Sequence, residues 1–469
     1  MMRVTGPRQW LFGAFMALAA CAPVQGPTIG LDITGRAATN ALPDRLPAMK
    51  TFGPAPAPRA TRSNTDIARD FMDLSFRMES GRTLDILTRF EGPISLRVVG
   101  QAPVSLAPDL GSLLQRLRLE AGLNITVTTD ESANINLVPL PKKEMQRIVP
   151  NAACFVVPNV RDWADFKRAR RGPRVDWVRL SRREQVAIFL PSDSAPQELR
   201  DCLHEEIAQA LGPLNDLYRL PDSVFNDDNI HTVLTGFDML ILKAYYAPEL
   251  SNGMSREDVA ARLPAILSRL NPAGNNTVVD LTPRTQRDWI DEMAKALGSA
   301  RAPLGRRQAA ENAINMGTAR GWQDARLGFS HYALGRLTIA SNPDAAQNAF
   351  LSADRVYASQ PEMQLHRAYV AVQLAAFALL EGDAQTVLRV TEPHITTARR
   401  HENAALLASL MMFRAEALEL QGRASEARTV RLDSLGWARY GFGNASAVTA
   451  RLREIAQLNP AKQDRLAGL

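Results

Sequence analysis

The residues most able to do chemistry are crowded into one stretch, Leu203-His204-Glu205-Glu206-Ile207-Ala208-Gln209-Ala210-Leu211-Gly212-Pro213-Leu214-Asn215-Asp216. Positions four apart on a helix share a face, so Glu205 and Gln209 point the same way, with Glu206 beside the first. Gly212 ends the helix, and the polar Asn215 and Asp216 follow it. Zinc prefers imidazole, thiolate or carboxylate, and here only Glu205 is a strong donor, because Gln209 and Asn215 are neutral amides. Zinc is therefore not expected. An oxygen-rich set that includes Asp216 suits a hard cation such as calcium or magnesium better. The plainer reading is an acidic pair on a solvated helix face or a local hydrogen-bonding pair. His204 does not repair the set, being turned about 100° from Glu205 and about 140° from Gln209 around a helix of 3.6 residues per turn.

A second motif follows in Asp222-Ser223-Val224-Phe225-Asn226-Asp227. The first stretch resembles the HExxHxxGxxH helix of metzincin-type zinc peptidases. In the frame that aligns Gly212, Glu205 stands at the first ligand, Glu206 at the general base, Gln209 at the second ligand and Asn215 at the third. The second resembles their Met-turn, with Phe225 where the methionine normally underlies the metal. Together, EExxQxLGxxND and DSVFND resemble a bacterial family called domain of unknown function 2927, over roughly residues 64–272. That resemblance implies an α+β, zincin-like (metzincin-type) fold on a surface lipoprotein and no settled activity. The neutral amides at two ligand positions point to a pseudoenzyme with no catalytic residue. The competing reading is a metallopeptidase with altered ligands and Glu206 as general base.

The motif helix must begin near Ser194-Ala195-Pro196-Gln197, where Ser194 is the expected cap and Pro196 suits the first turn, and it stops at Gly212-Pro213. Its apolar stripe is Leu199, Leu203, Ile207, Ala210 and Leu211, opposite Glu205 and Gln209. Apolar periodicity predicts helices over Thr65–Arg77 and Leu110–Glu120. Strands are expected at Ile94–Val99, Ile125–Thr128, Ile135–Leu137, Cys154–Val157, Asp176–Leu180 and Val186–Leu190. That mixture makes an α+β domain over 63–272. From 273 to 469 the sequence reads as helix, broken at Asn342-Pro343-Asp344, Glu381-Gly382-Asp383 and Gln421-Gly422-Arg423. These turns lie about 40 residues apart, and Ala-rich helix follows each. The spacing resembles tetratricopeptide-like repeats in type, with an irregular helical bundle as the alternative.

The N-terminus gives an address. Arg3 and Arg8 precede an apolar run from Trp10 to Ala20, too short to span a bilayer. It ends in Leu18-Ala19-Ala20-Cys21, which resembles a lipobox. Residues 1–20 are then a signal peptide and Cys21 the lipidated first residue, against a plain signal cleaved near Ala20. Ala22 after the cysteine favours the outer membrane over the inner, with the protein facing the periplasm. Residues 21–62 are rich in Pro and Ala, as in Pro54-Ala55-Pro56-Ala57-Pro58, and read as a tether. In an oxidising compartment Cys154 and Cys202 are expected to pair, with two buried thiols as the alternative.

The hydrophobic fraction of 46%, charged fraction of 22% and net charge of +6 over 469 residues describe a globular chain without a nucleic-acid signature. The basic run from Lys167 to Arg174 reads as a charged loop between strands, with contact to anionic lipid or peptidoglycan as the alternative. The expected partners are the membrane, through the lipid, and a protein or peptide of the envelope.

Overall fold

The computed structural model describes residues 46–53, 58–150, 152–280, 282–298 and 301–462. Cys21, its preceding segment and most of the Pro/Ala-rich stretch lie outside them. The chain forms two compact units, one of Phe52–Thr285 and one joining Gln286–Leu469 with the residues up to Thr51.

The first unit is mixed α+β. Its helices are α1 (Asn64–Ser75), α2 (Leu106–Arg116), α3 (Lys142–Gln146), α4 (Trp163–Ala169), α5 (Pro196–Leu211), α6 (Gly236–Tyr245) and α7 (Arg256–Leu270). Its strands are β1 (Ile94–Val98), β2 (Ile125–Val127), β3 (Ile135–Leu140), β4 (Phe155–Pro158) and β5 (Val186–Pro191), forming one sheet in the order β2-β1-β3-β5-β4. The β1–β2, β1–β3 and β3–β5 pairs are parallel, and β4 runs antiparallel to β5 at the edge. Alternation along β5 explains how both faces are covered. Val186, Ile188 and Leu190 join the large core with α1, α2, α5, α6 and α7. Ala187 and Phe189 face Trp163 and Phe166 of α4.

Three local expectations are corrected. Asp176–Leu180 is a 3₁₀ turn over Trp177–Arg179, because the Asp176 carboxylate accepts from the Val178 N–H and bends the chain despite the β-prone Trp and Val. The N-cap of α5 is Ala195 rather than Ser194, with no side-chain cap; proline in the first turn lacks one of the N–H groups a cap would serve. The second helix starts earlier, at Leu106, and ends in a π turn over Leu117–Ala121.

The unit ends beyond Asn271-Pro272 because the chain after α7 returns along α1. The Asn64 amide donates to the Asn271 carbonyl at 3.0 Å, Asp280 N–H donates to Asp66 at 2.8 Å, and Arg284 pairs with Asp73.

The second unit is helical throughout its described residues: α8 (Arg287–Leu297), α9 (Pro303–Ala319), α10 (Ala325–Thr338), α11 (Pro343–Ala358), α12 (Gln364–Leu380), α13 (Ala384–Arg400), α14 (Ala404–Leu420), α15 (Ala424–Phe442) and α16 (Ala445–Ala456). The three turns read from the sequence join α10 to α11, α12 to α13 and α14 to α15, as helical repeats require. Gly382 and Gly422 take φ of +76° and +75°, the left-handed geometry that closes a helix C-terminus. Close approach also has a cause: a Cβ on Gly335 would come within 2.7 Å of the Phe350 ring. Residues 46–51, from the stretch read as tether, pack here, where Lys50 pairs with Asp433 and Arg439 donates to the Pro47 carbonyl at 2.8 Å. No helix among the described residues is long and apolar enough to cross a membrane.

Candidate functional site

Helix α5 is buried almost all round, not only along one stripe. Glu206 is 3% exposed and Gln209 8%, so the reading of a solvated acidic face is overturned. Part of the reason lies in the fastening of the helix. Cys202 is joined to Cys154, just before β4, by a disulfide with Cα atoms 6.0 Å apart. At the other end the buried Arg183 guanidinium donates to the carbonyls of Gln209 at 2.6 Å, Ala210 at 2.8 Å and Gly212. A cation on the last carbonyls complements the helix dipole. Gly212 is required by space: its φ of −172° suits any residue, but a Cβ there would lie 2.9 Å from the Tyr245 ring.

The positions of the metal frame are not brought together as a zinc set. Asn215 turns away, its amide donating to the Asp73 carbonyl at 2.9 Å, and the next contact, Leu214 N–H to the Leu74 carbonyl at 3.1 Å, lays this loop against the end of α1. His204 is buried, and its Nδ1 accepts the Leu234 N–H at 3.1 Å. Burial, then the charges of Arg200 and Arg116, hold its pKa well below the usual imidazole value. It is a neutral structural residue.

The Asp222–Asp227 turn has a division of labour. Asp222 pairs with Arg62. Ser223 donates to Asp238 at 2.5 Å and accepts the Phe225 N–H at 3.0 Å. Phe225 is fully buried in the core, and the Asn226 amide bridges the Leu220 carbonyl and Asp228 at 2.9 and 2.8 Å. Asp227 has a carboxylate oxygen close to those of Glu79 and Asp216.

What does converge is a group of carboxylates. One oxygen from each of Glu79, Asp216 and Asp227 lies within 4.8 Å of the other two. Glu205 stands close enough that burial first, then Glu79, Asp227 and Asp201, push its pKa up to about 7. Burial, then Glu205 and Glu79, raise Glu206 well above the carboxylate range, and its Oε2 is buried with no hydrogen-bond donor. Burial, then Glu79, Asp227 and Glu205, do the same to Asp216, whose Oδ1 is also unpartnered. Such a site is all oxygen, strongly acidic, and either protonated or in need of a cation. Sequence reading reached Glu205, Glu206, Asp216 and Asp227 but missed Glu79. That residue comes from the Met78–Arg82 turn after α1, where the Gly81 N–H donates to the Met78 carbonyl at 2.8 Å, and no periodicity or spacing marks it. The basic run from Lys167 to Arg174 is an exposed helix end whose Arg168 and Arg174 pair with Asp165.

No curated protein and no solved structure is found to match the chain. Residues 64–265, the span from α1 into α7 that carries both motifs and Glu79, match the model of the family described as "Protein of unknown function (DUF2927)".

Proposed function

We propose that the chain is a lipid-anchored protein of the bacterial cell envelope, held through Cys21 and facing the periplasm, most naturally at the outer membrane. Its α+β domain is a zincin-like module without catalytic zinc that serves as a binding scaffold for a protein or peptide partner. The observation that carries this reading is the commitment of Asn215: the side chain at the third ligand position donates to the Asp73 carbonyl inside the fold. Gln209 cannot replace an imidazole, and His204 already accepts a backbone N–H. A sheet of parallel strands with one antiparallel edge strand, backed by the motif helix, supports the zincin-like comparison. The Cys154–Cys202 disulfide suits an oxidising compartment. Stacked helical pairs in the second unit would offer a partner an extended surface.

The test combines elemental analysis with function. Chain purified without chelators should carry no stoichiometric zinc, and Glu206→Gln should leave folding and partner capture intact. One zinc per chain, together with a peptidase activity lost on Glu205→Ala and Glu206→Gln, would establish the metallopeptidase instead. For the anchor, Cys21→Ala should move the protein from membranes to the soluble fraction and abolish uptake of labelled fatty acid. Retention of both would remove the lipoprotein reading.

A further inference from the structure

We propose that Glu79, Asp216 and Asp227 form a binding site for a hard divalent cation of the calcium type, with the buried Glu206 carboxyl nearby. The inference is separate from partner binding and needs only that these carboxylates are not a zinc catalytic set.

Geometry comes first. Calcium takes oxygen ligands at about 2.3–2.6 Å, so two ligands on opposite sides of one ion lie about 5 Å apart and adjacent ones closer. Three carboxylate oxygens mutually within 4.8 Å therefore fit around a single ion. They come from three separate pieces of chain: the Met78–Arg82 turn, the loop after Gly212, and the Asp222–Asp227 turn. Each piece is fixed by hydrogen bonds that do not use these carboxylates. The Leu217 N–H donates to the Phe225 carbonyl at 2.9 Å, and the Met78 N–H to the Arg82 carbonyl at 3.0 Å. The donor set excludes nitrogen and sulfur, which selects hard cations over zinc or copper.

The second observation is Glu206, which belongs to α5 rather than to these loops. It is 3% exposed, and its Oε2 has no donor from the chain. The charges that act on it besides burial are those of Glu205 and then Glu79, so it stands within electrostatic reach of the cluster. An unpaired buried carboxylate is costly, and a nearby divalent charge, directly or through a coordinated water, is the partner that removes the cost. Asp216 Oδ1 is in the same condition.

Terbium, a trivalent ion with the oxygen preference of calcium, is the probe. Tyr218 lies where Asp227, Asp228, Asp216 and Glu79 act on its hydroxyl, so its excitation should sensitise bound terbium. The full Cys21→Ala chain, stripped with chelator, should show saturable terbium luminescence that calcium displaces. Calcium alone should raise its melting temperature. Glu79→Gln, which alters an exposed turn residue, and Asp227→Asn should each weaken terbium binding by about tenfold or more. Tyr218→Phe should lose the luminescence while keeping calcium's thermal shift. Glu249→Gln, a surface carboxylate paired with Arg269, should change nothing. Absence of saturable binding by the unsubstituted chain overturns the proposal. So does luminescence indifferent to Glu79→Gln and Asp227→Asn, or zinc binding that calcium does not displace.

Discussion

Two residues at the end of the motif helix help to hold it in place. Arg183 lies over the Trp177 ring at 4.9 Å while donating to three carbonyls at the end of α5, and burial alone would lower its pKa. Lysine has neither the planar fork nor the stacking face. Arg183→Lys is therefore expected to destabilise the chain by about 2–4 kcal/mol, since buried carbonyls lose charged donors. Gly212→Ala forces a methyl group against Tyr245 and should cost about 1–3 kcal/mol. Equilibrium urea unfolding measures both, and a midpoint unchanged in either variant would refute the corresponding contact. At this scale the sequence showed where the acids lie on α5, because helical spacing fixes which side chains are neighbours. It could not show that Asn215 would be taken by a backbone carbonyl of α1, or that Glu79 would come from a turn far upstream. Those are long-range pairings with no local signal.

The elements that hold the acids are set by three devices of different legibility. Gly212-Pro213 and the proline at 196 bracket α5 by local chemistry, and the bounds of the helix follow. The strand pattern was readable wherever apolar residues run on, as in β3 and β5. It failed at Asp176-Trp177-Val178-Arg179, where one Asx hydrogen bond outweighs β propensity. The Cys154–Cys202 bond ties the approach to the edge strand β4 to the middle of α5, and no periodicity predicts that pairing; the expectation of an oxidising compartment does. It closes a loop with a sequence separation of 48. In the chain-entropy model a closure of that length stabilises the fold by about 4 kcal/mol. Cys154→Ser with Cys202→Ser should accordingly lower stability by up to about that amount and leave the second unit's unfolding unaltered. Equal loss in both units, followed by hydrogen exchange, would show that the bond is not a local fastening.

The whole molecule divides its titrating groups unevenly, and the division predicts opposite pH responses in the two units. In the α+β unit, burial and neighbouring acids raise Glu205 to about 7 and burial raises Asp238 to about 6, while Asp201, Glu206 and Asp216 are also raised. A folded carboxyl with a raised pKa keeps a proton that the unfolded chain has released. Its contribution is therefore complete below the ordinary carboxylate pKa of about 4 and is lost as pH climbs towards 7. His204 works the other way but is a single group. In the helical unit the shifted groups in this window are histidines: burial, then Arg400 and His366, lower His401 to about 4, and burial lowers His331 and His394. An unfolded histidine takes up its proton near pH 6.5 while these folded ones refuse it, so their contribution is lost as pH falls below about 6.5. Moving from about pH 7 to about pH 5 should thus strengthen the α+β unit and weaken the helical unit. Peptide-resolved hydrogen exchange, corrected for the intrinsic rate at each pH, reads both units in one sample. Protection that rises in residues 64–270 and falls in residues 325–456 is the expected result. Protection that falls in residues 64–270 would mean that the acid cluster is not held partly protonated by burial and its neighbours, and protection that rises in residues 325–456 would mean the same failure for the buried histidines.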